Sequence, residues 1–225
     1  TSSSYDDQTL GSFIANAAYT LLNRYVLTAT LRADGSSMVG DDHTWGLFPS
    51  ISGEWNVLKE PFMHTLKGIS TLKLRMGYGQ SGNLGGISAY TTMDNVQQTG
   101  IVPVNNTPTV TLGAIRNNNP DLKWETKSTF NIGGEIGLWH NRLMLTAEYY
   151  YSKTTDMLYA YDVPVPPFVY DKLLANIGSM SNQGFEIGFS IAPVQTRDID
   201  LNINLNLSFQ KNKLLSLSGQ YKGMD

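Results

Sequence analysis

Glu54, Glu135, Glu148 and Glu186, together with His43, His64 and His140, are the residues of this chain most open to a chemical reading. Two carboxylates held a few ångströms apart can serve as acid and base in glycoside hydrolysis. These glutamates fall on separate predicted strands with no shared local context, so lining of a wet wall is the simpler reading. The histidines are far apart and none has a partner four residues away. His43 follows Asp41 and Asp42, but the triplet lacks the alternating ligand spacing of a calcium loop and reads as solvated loop. Gly82-Asn83-Leu84-Gly85-Gly86 is glycine-rich, yet no helical pattern follows it, which argues against a phosphate cradle. There is no cysteine, which removes disulfides, thiolate metal sites and cysteine nucleophiles together. No catalytic residue, metal ligand or cofactor is therefore expected, and the chain does not read as an enzyme.

Composition narrows the class. Charged residues are 16% of the 225 positions, against about a quarter in an ordinary soluble domain. Twelve Tyr, 8 Phe and 4 Trp carry too much aromatic surface for a disordered coil. The net charge of -3 comes with no basic run, so no nucleic-acid partner is expected. The first residues, Thr1 to Gln8, are polar and carry no signal-peptide pattern. No window is apolar for long enough to make a spanning helix, although a β-barrel would not show one.

The elements that must position the charges alternate with period two. In LNINLNLSFQ (201–210), Leu201, Ile203, Leu205, Leu207 and Phe209 share one face, while Asn202, Asn204, Asn206, Ser208 and Gln210 share the other. A helix would scatter the Asn residues around its axis; a strand sorts them. The same pattern predicts strands over 25–32, 47–57, 72–79, 130–138, 143–152 and 185–192, with a weaker one over about 12–20. That makes roughly eight antiparallel strands. The charges inside them, Arg32, Glu54, Lys73, Arg75, Glu135, Glu148 and Glu186, all fall on the polar phase. At the middle of a lipid face an Arg or Lys costs about 2–4 kcal/mol, and against water almost nothing. The segregation is what a wall with lipid outside and a wet lumen inside selects.

The connections alternate in length too. Tight turns are expected at Leu22 to Arg24, His140 to Arg142 and Gln195 to Asp200. Longer stretches are expected at Asp34 to Thr44, Ser81 to Leu122 and Ala160 to Met180. Short turns on one side and long loops on the other is the outer-membrane arrangement. Leu58 to Ser70 breaks the rule, being long on the short side. Trp45, Phe48, Trp124, Trp139, Tyr149 to Tyr151, Tyr159 and Tyr161 lie near predicted strand ends, where interfacial aromatic girdles sit. Trp124 and Trp139 are expected at opposite interfaces. A soluble β-sandwich, for instance a carbohydrate-binding module, also alternates. In that case Leu201, Ile203, Leu205 and Leu207 would be buried against a second sheet of the same chain.

Several stretches go beyond periodicity. RYVLTATLRADGSS (24–37), WGLFPSISGEW (45–55), EPFM (60–63), LKLRMGYGQSGN (72–83), the long run from Asn117 to Leu158 and NIGSMSNQGFEIGFS (176–190) resemble SusC/RagA-type TonB-linked outer-membrane proteins in order and spacing. The likeness covers about residues 11–215. It implies an all-β fold: about eight strands of an antiparallel transmembrane barrel of about 22. The whole chain is then part of one TonB-dependent receptor barrel domain, with the plug, the TonB box and the last strand beyond Met224 and Asp225 absent from it.

The resemblance further implies import of glycan or peptide oligomers across the bacterial outer membrane. A SusD-like surface lipoprotein would act as lid, and TonB would act through the plug. Outer-membrane lipid would surround the wall. Tyr90, Tyr161, Phe168 and Tyr170 are the loop candidates for contact with substrate or lid, although loop packing is the commoner role. A barrel component without import of its own is the alternative.

Overall fold

The computed structural model describes residues 7–65 and 67–217. The polar start of the chain and the Met224-Asp225 end largely fall outside these residues. Along the described chain run β1 (Leu10–Leu21), β2 (Tyr25–Ser36), β3 (Trp45–Asn56), β4 (Ile69–Asn83), β5 (Val96–Val104), β6 (Thr107–Ala114), β7 (Glu125–Leu138), β8 (Leu143–Asp162), β9 (Lys172–Gln195) and β10 (Asp200–Ser216). Eight of them form one antiparallel sheet in the order β1-β2-β3-β4-β7-β8-β9-β10, and β5 pairs with β6 alone.

Register keeps the apolar phase on one face from edge to edge. Ile51 opposes Tyr78, Tyr78 opposes Phe130, and Phe130 opposes Tyr151. Three rows nearer the short turns, Leu145 opposes Phe189, which opposes Leu205. A slip of one residue in β3, β4, β7, β8 or β9 would turn Glu54, Lys73 and Arg75, Glu135, Glu148 or Glu186 onto this face. Leu201, Ile203, Leu205 and Leu207 remain 46%, 49%, 52% and 45% exposed. Among the described residues the other sheet is the β5–β6 hairpin, so no second layer covers them. The sandwich expectation fails on this point.

Tight turns close the short side. Leu22 and Asn23 both have positive φ, 52° and 54°, the left-handed twist that suits a hairpin. Several boundaries differ from the sequence reading. β8 and β9 run on past 152 and begin before 185, so the expected loop 160–180 shrinks to the residues between Asp162 and Lys172. A bulge between Thr154 and Met157, with Asp156 at φ 57°, shifts the phase and hides the continuing strand from a period-two search. The expected loop Ser81 to Leu122 contains the β5–β6 hairpin, turned by Asn105 and Asn106 at φ 50° and 63°. β3 ends at Asn56, and Val57 turns inward to be buried in a 3-10 segment.

Packing of the usual core kind gathers at the long-loop end. Val39, Phe48, Leu84, Ile87, Leu122 and Trp124 form a buried cluster. Phe48 meets Trp124 edge to face at 5.7 Å. A Cβ at Gly82 would overlap the Phe48 ring, so that position has no room for a side chain. Phe48 and Trp124 therefore leave the girdle to which the sequence assigned them. Phe48 belongs to the polar phase of β3, and both rings are buried under the loops. Trp45, by contrast, is exposed and stacks on Phe13 at 5.7 Å, and Trp139 is exposed beside a short turn.

Candidate functional site: the polar face of the sheet

Toward the short-turn end, the polar phase falls into rows that cross the strands along the hydrogen-bonding direction, two of which hold charges. The first contains Asn56, Lys73, Glu135, Thr146 and Gly188. The second contains Glu54, Arg75, Gly133, Glu148, Glu186 and Ser208. Six of the seven predicted charges are thus brought into two adjacent rows. Arg32 stands apart, toward the long loops, and its Nε donates to Asp34 at 2.8 Å.

Pairing within the rows is partial. Lys73 lies 3.5 Å from Glu54, and Arg75 donates to Glu148 at 2.7 Å. Arg75 reaches Glu148 across a whole strand because Gly133 lies between them. A Cβ there would stand 3.4 Å from both Arg75 Nε and Glu148 Cβ. Glu148 opposes Glu186 directly, an unfavourable like-charge pair in isolation, and the Arg75 guanidinium offsets it. Glu135 and Glu186 have no ion pair among the described residues. The exposed pairs are worth little singly; their effect is to fix which charges stay uncommitted.

The next two rows, on the long-loop side of the charged ones, contain no charge. One contains Thr28, Ser52, Gly77, Asn131, Tyr150 and Gln210. The other contains Thr30, Ser50, Gly79, Thr129, Ser152 and Asn182. Asn16 donates to Thr30 at 2.7 Å, and Thr129 and Ser152 share a 2.9 Å hydrogen bond.

Two clasps hold the ends of the sheet, and neither was found in the sequence as such. At the short-turn end the irregular connection is pinned by Glu60. Its carboxylate accepts from Tyr25 Oη at 2.7 Å, Trp55 Nε1 at 3.0 Å and Arg24 Nη1 at 3.0 Å. Tyr25 and Trp55 stack at 6.2 Å, forming an amphipathic pair with their polar tips on one carboxylate. The hydrogen bonds from Tyr25 and Trp55, followed by the Arg24 charge, hold the Glu60 carboxyl below its usual range. A depressed carboxyl stabilises the folded state above its unfolded value and stops doing so as pH falls through the folded one. Acidification of the full-length protein below about pH 4 should therefore release the clasp. Trp55 emission, taken as the difference from Trp55→Phe, should shift there, and Glu60→Gln should abolish that shift.

At the long-loop end three asparagines fasten the segment 117–124 to β9. Asn117 Oδ1 accepts from the backbone of Val169 and Tyr170, both at 3.1 Å, and its Nδ2 donates to Lys172 O at 2.8 Å. Asn119 donates to Leu174 O at 2.8 Å, and Asn176 donates to Lys123 O at 2.8 Å. Amides donate and accept at once, which suits them to mimic a strand partner.

The family model for the TonB dependent receptor-like β-barrel matches residues 1–223. The chain belongs to this family. It is 35% identical over 96% of its length to the TonB-dependent receptor P26 of Formosa agariphila, and 34% identical over 94% to the TonB-dependent receptor SusC of Bacteroides thetaiotaomicron. It spans 22% and 21% of those proteins, about a fifth of each. The RagAB peptide importer in its open-open state superposes with a TM-score of 0.83, at 26% identity, over 93% of this chain and 22% of that one. The siderophore receptor PirA of Pseudomonas aeruginosa shares the fold at a TM-score of 0.55 and 15% identity, over 92% of this chain and 35% of that one.

As a segment of a TonB-dependent receptor barrel, the sheet is an outer-membrane wall with its apolar face to lipid and its short turns on the periplasmic side. Of the four loop candidates of the sequence reading, Tyr161, Phe168 and Tyr170 lie on the β8–β9 hairpin end and Tyr90 on the connection before β5. Tyr170 donates its hydroxyl to Ala114 O at 2.8 Å, tying one loop to the end of β6. Tyr90 accepts from Asp7 N at 3.3 Å. Phe168 donates its backbone N–H to Pro164 O at 3.3 Å within its own loop, and Tyr161 pairs with Leu173 in the extension of β8 and β9. Among the described residues no hydrogen bond or ring contact joins their four side chains to one another.

Proposed function

We propose that this chain is part of the wall of a TonB-dependent importer that carries nutrient oligomers, glycan or peptide, across the outer membrane. The polar face lines the import path, with Arg32, Glu54, Lys73, Arg75, Glu135, Glu148 and Glu186 turned to the lumen. The observation that carries the reading is the separation of charge from apolar surface along the short-turn half of the wall, where Lys153, Lys211 and Lys213 join the apolar phase only beyond Tyr151 and Phe209, in a chain whose relatives include SusC and the RagAB peptide importer. An inert barrel component needs an apolar outside but no organised polar inside.

In this reading a plug, belonging to the same barrel domain's parent protein, sits against the charged rows, where Glu135 and Glu186 offer uncommitted carboxylates to basic groups. A SusD-like lipoprotein covers the long-loop end, and TonB acts through the plug. Tyr90, Tyr161, Phe168 and Tyr170 stand at the rim where substrate and lid arrive. The clasped segment 117–124 gives that rim a fixed floor. Nothing in this arrangement performs covalent chemistry.

The test is energised uptake. The full-length protein, expressed in a host deleted for its own copy, should restore growth on the nutrient addressed by its neighbouring genes. Growth should fail when tonB is deleted as well. Growth that is indifferent to the protein, or that persists without TonB, would leave the non-transporting alternative standing.

A further inference from the structure

We propose that Lys153, Lys211 and Lys213 form a phosphate-binding patch on the outer wall of the barrel, which holds the headgroup of a phosphorylated lipid in the outer leaflet. The patch faces away from the lumen, so the proposal stands apart from what the barrel imports.

On the paired strands short of the β8 bulge, these three lysines are the charges that join the apolar phase. On β1 to β4 and β7 that phase runs toward the long loops through neutral residues such as Trp45, Gln80 and Ser128. On β8 and β10 it ends in lysine. Lys153 and Lys213 share one row, each opposing Ser181 of β9, and Lys211 lies in the row below, opposite Gln183. One strand separates Lys153 from Lys213, which puts their backbones about 10 Å apart. Two lysine stems can therefore meet on one headgroup. The next row down is aromatic, with Tyr149, Phe185 and Phe209. Height agrees. From Leu143, where β8 leaves the periplasmic turn, Lys153 is ten residues along the strand. At about 3.3 Å per residue and a tilt of about 40°, that climb is about 25 Å, the height of an outward apolar band. The ammoniums stand at the outer headgroup level, above the hydrocarbon.

The chemistry of the patch is that of an anion site. All three lysines are exposed, and none has an ion pair among the described residues. Asp156, three residues beyond Lys153, is taken by Lys123 at 2.7 Å. Tyr149 donates to Gln183 Oε1 at 3.3 Å, which leaves the Gln183 amide N–H groups to donate outward. The patch is thus rich in donors and lacks a carboxylate. Neighbouring ammoniums repel unless an anion sits among them, and a phosphate accepts from several at once. The apolar rows directly beneath favour an anion that carries acyl chains, which cover Phe185 and Phe209 while the headgroup meets the lysines.

The experiment is a lipid titration of the detergent-purified full-length protein, read by native mass spectrometry. The probes are bisphosphorylated lipid A, the same lipid after phosphatase treatment, and its deacylated glycan phosphate. Preferential binding of intact lipid A is expected. Lys153→Gln, Lys211→Gln and Lys213→Gln should each weaken it about fivefold, the effect of one basic side chain at an anionic surface. Replacement of all three by arginine should keep it. Lys127→Gln, one row further toward the long loops but on the polar phase, should leave it unchanged. Heat-modifiable migration on gels confirms that each variant is a folded barrel. Equal binding after phosphatase treatment, equal binding when all three lysines are glutamine, or an equal loss in Lys127→Gln would overturn the proposal. So would equal binding of the deacylated glycan phosphate, because the ligand would then be a soluble anion. Lipid binding is read without transport, so this test and TonB-dependent growth can fail independently.

Discussion

Leu145→Arg will keep the protein out of the outer membrane, whereas Thr146→Arg, one residue along, will not. Leu145 lies on the apolar face of β8 between Leu143 and Ala147, with Ile136 and Phe189 as its cross-strand neighbours. It falls between Trp139 at the periplasmic turn and the outward-facing Tyr149 and Tyr151, and so near the middle of the lipid layer. A guanidinium there costs about 2–4 kcal/mol, a large share of the margin that holds a barrel together. Thr146 points the other way and opposes Glu135, whose carboxylate would welcome a cation. The readout is the fraction of full-length protein in the outer-membrane pellet that shows heat-modifiable migration. Equal assembly of the two variants would mean that alternate side chains do not meet different solvents.

Trp124→Ala will loosen the extracellular loops and leave the wall intact. Trp124 is 9% exposed, packs on Phe48 and donates its indole N–H to Thr44 O at 3.3 Å. Emptying such a site costs about 3–5 kcal/mol. The loss falls on a cluster built from loop residues such as Leu84, Ile87 and Leu122, outside the ladder of paired strands. Protease added to intact cells should therefore cut within residues 84–124 of the variant and spare the native protein. Its heat-modifiable migration should be unchanged. If migration is lost together with loop protection, the loop cluster and the wall fold as one unit.

These outcomes separate two kinds of stability in one chain. The wall has almost no interior of its own: its outward side chains are half-exposed until lipid covers them, and its backbone bonds are all inter-strand. The loop cluster is a small conventional core, with close packing around Phe48 and buried amides such as Asn119 each finding a partner. At the periplasmic end Val57 and Met63 are buried in the irregular connection, and the Glu60 clasp joins two strand ends to it through one carboxylate.

The eight strands of the wall and the alternation of polar and apolar phases along them could be read from the chain alone. That was possible because a single-layer sheet between two solvents imposes its chemistry on every second residue, and LNINLNLSFQ records it without reference to any partner. The family resemblance could be read in the same way, from motifs such as WGLFPSISGEW and NNNPDLKWE. The tertiary structure alone decided what depends on neighbours distant in sequence. Register sorted the polar residues into charged and uncharged rows. The Asp156 bulge hid the upper halves of β8 and β9, and Asn-Asn at positive φ made a hairpin out of an apparent loop. Phe48 and Trp124 look like girdle aromatics until Gly46 and Gly82 are seen to enclose the Phe48 ring. Periodicity reports which solvent a residue faces, whereas contacts across strands depend on shape, and shape is not written along the chain.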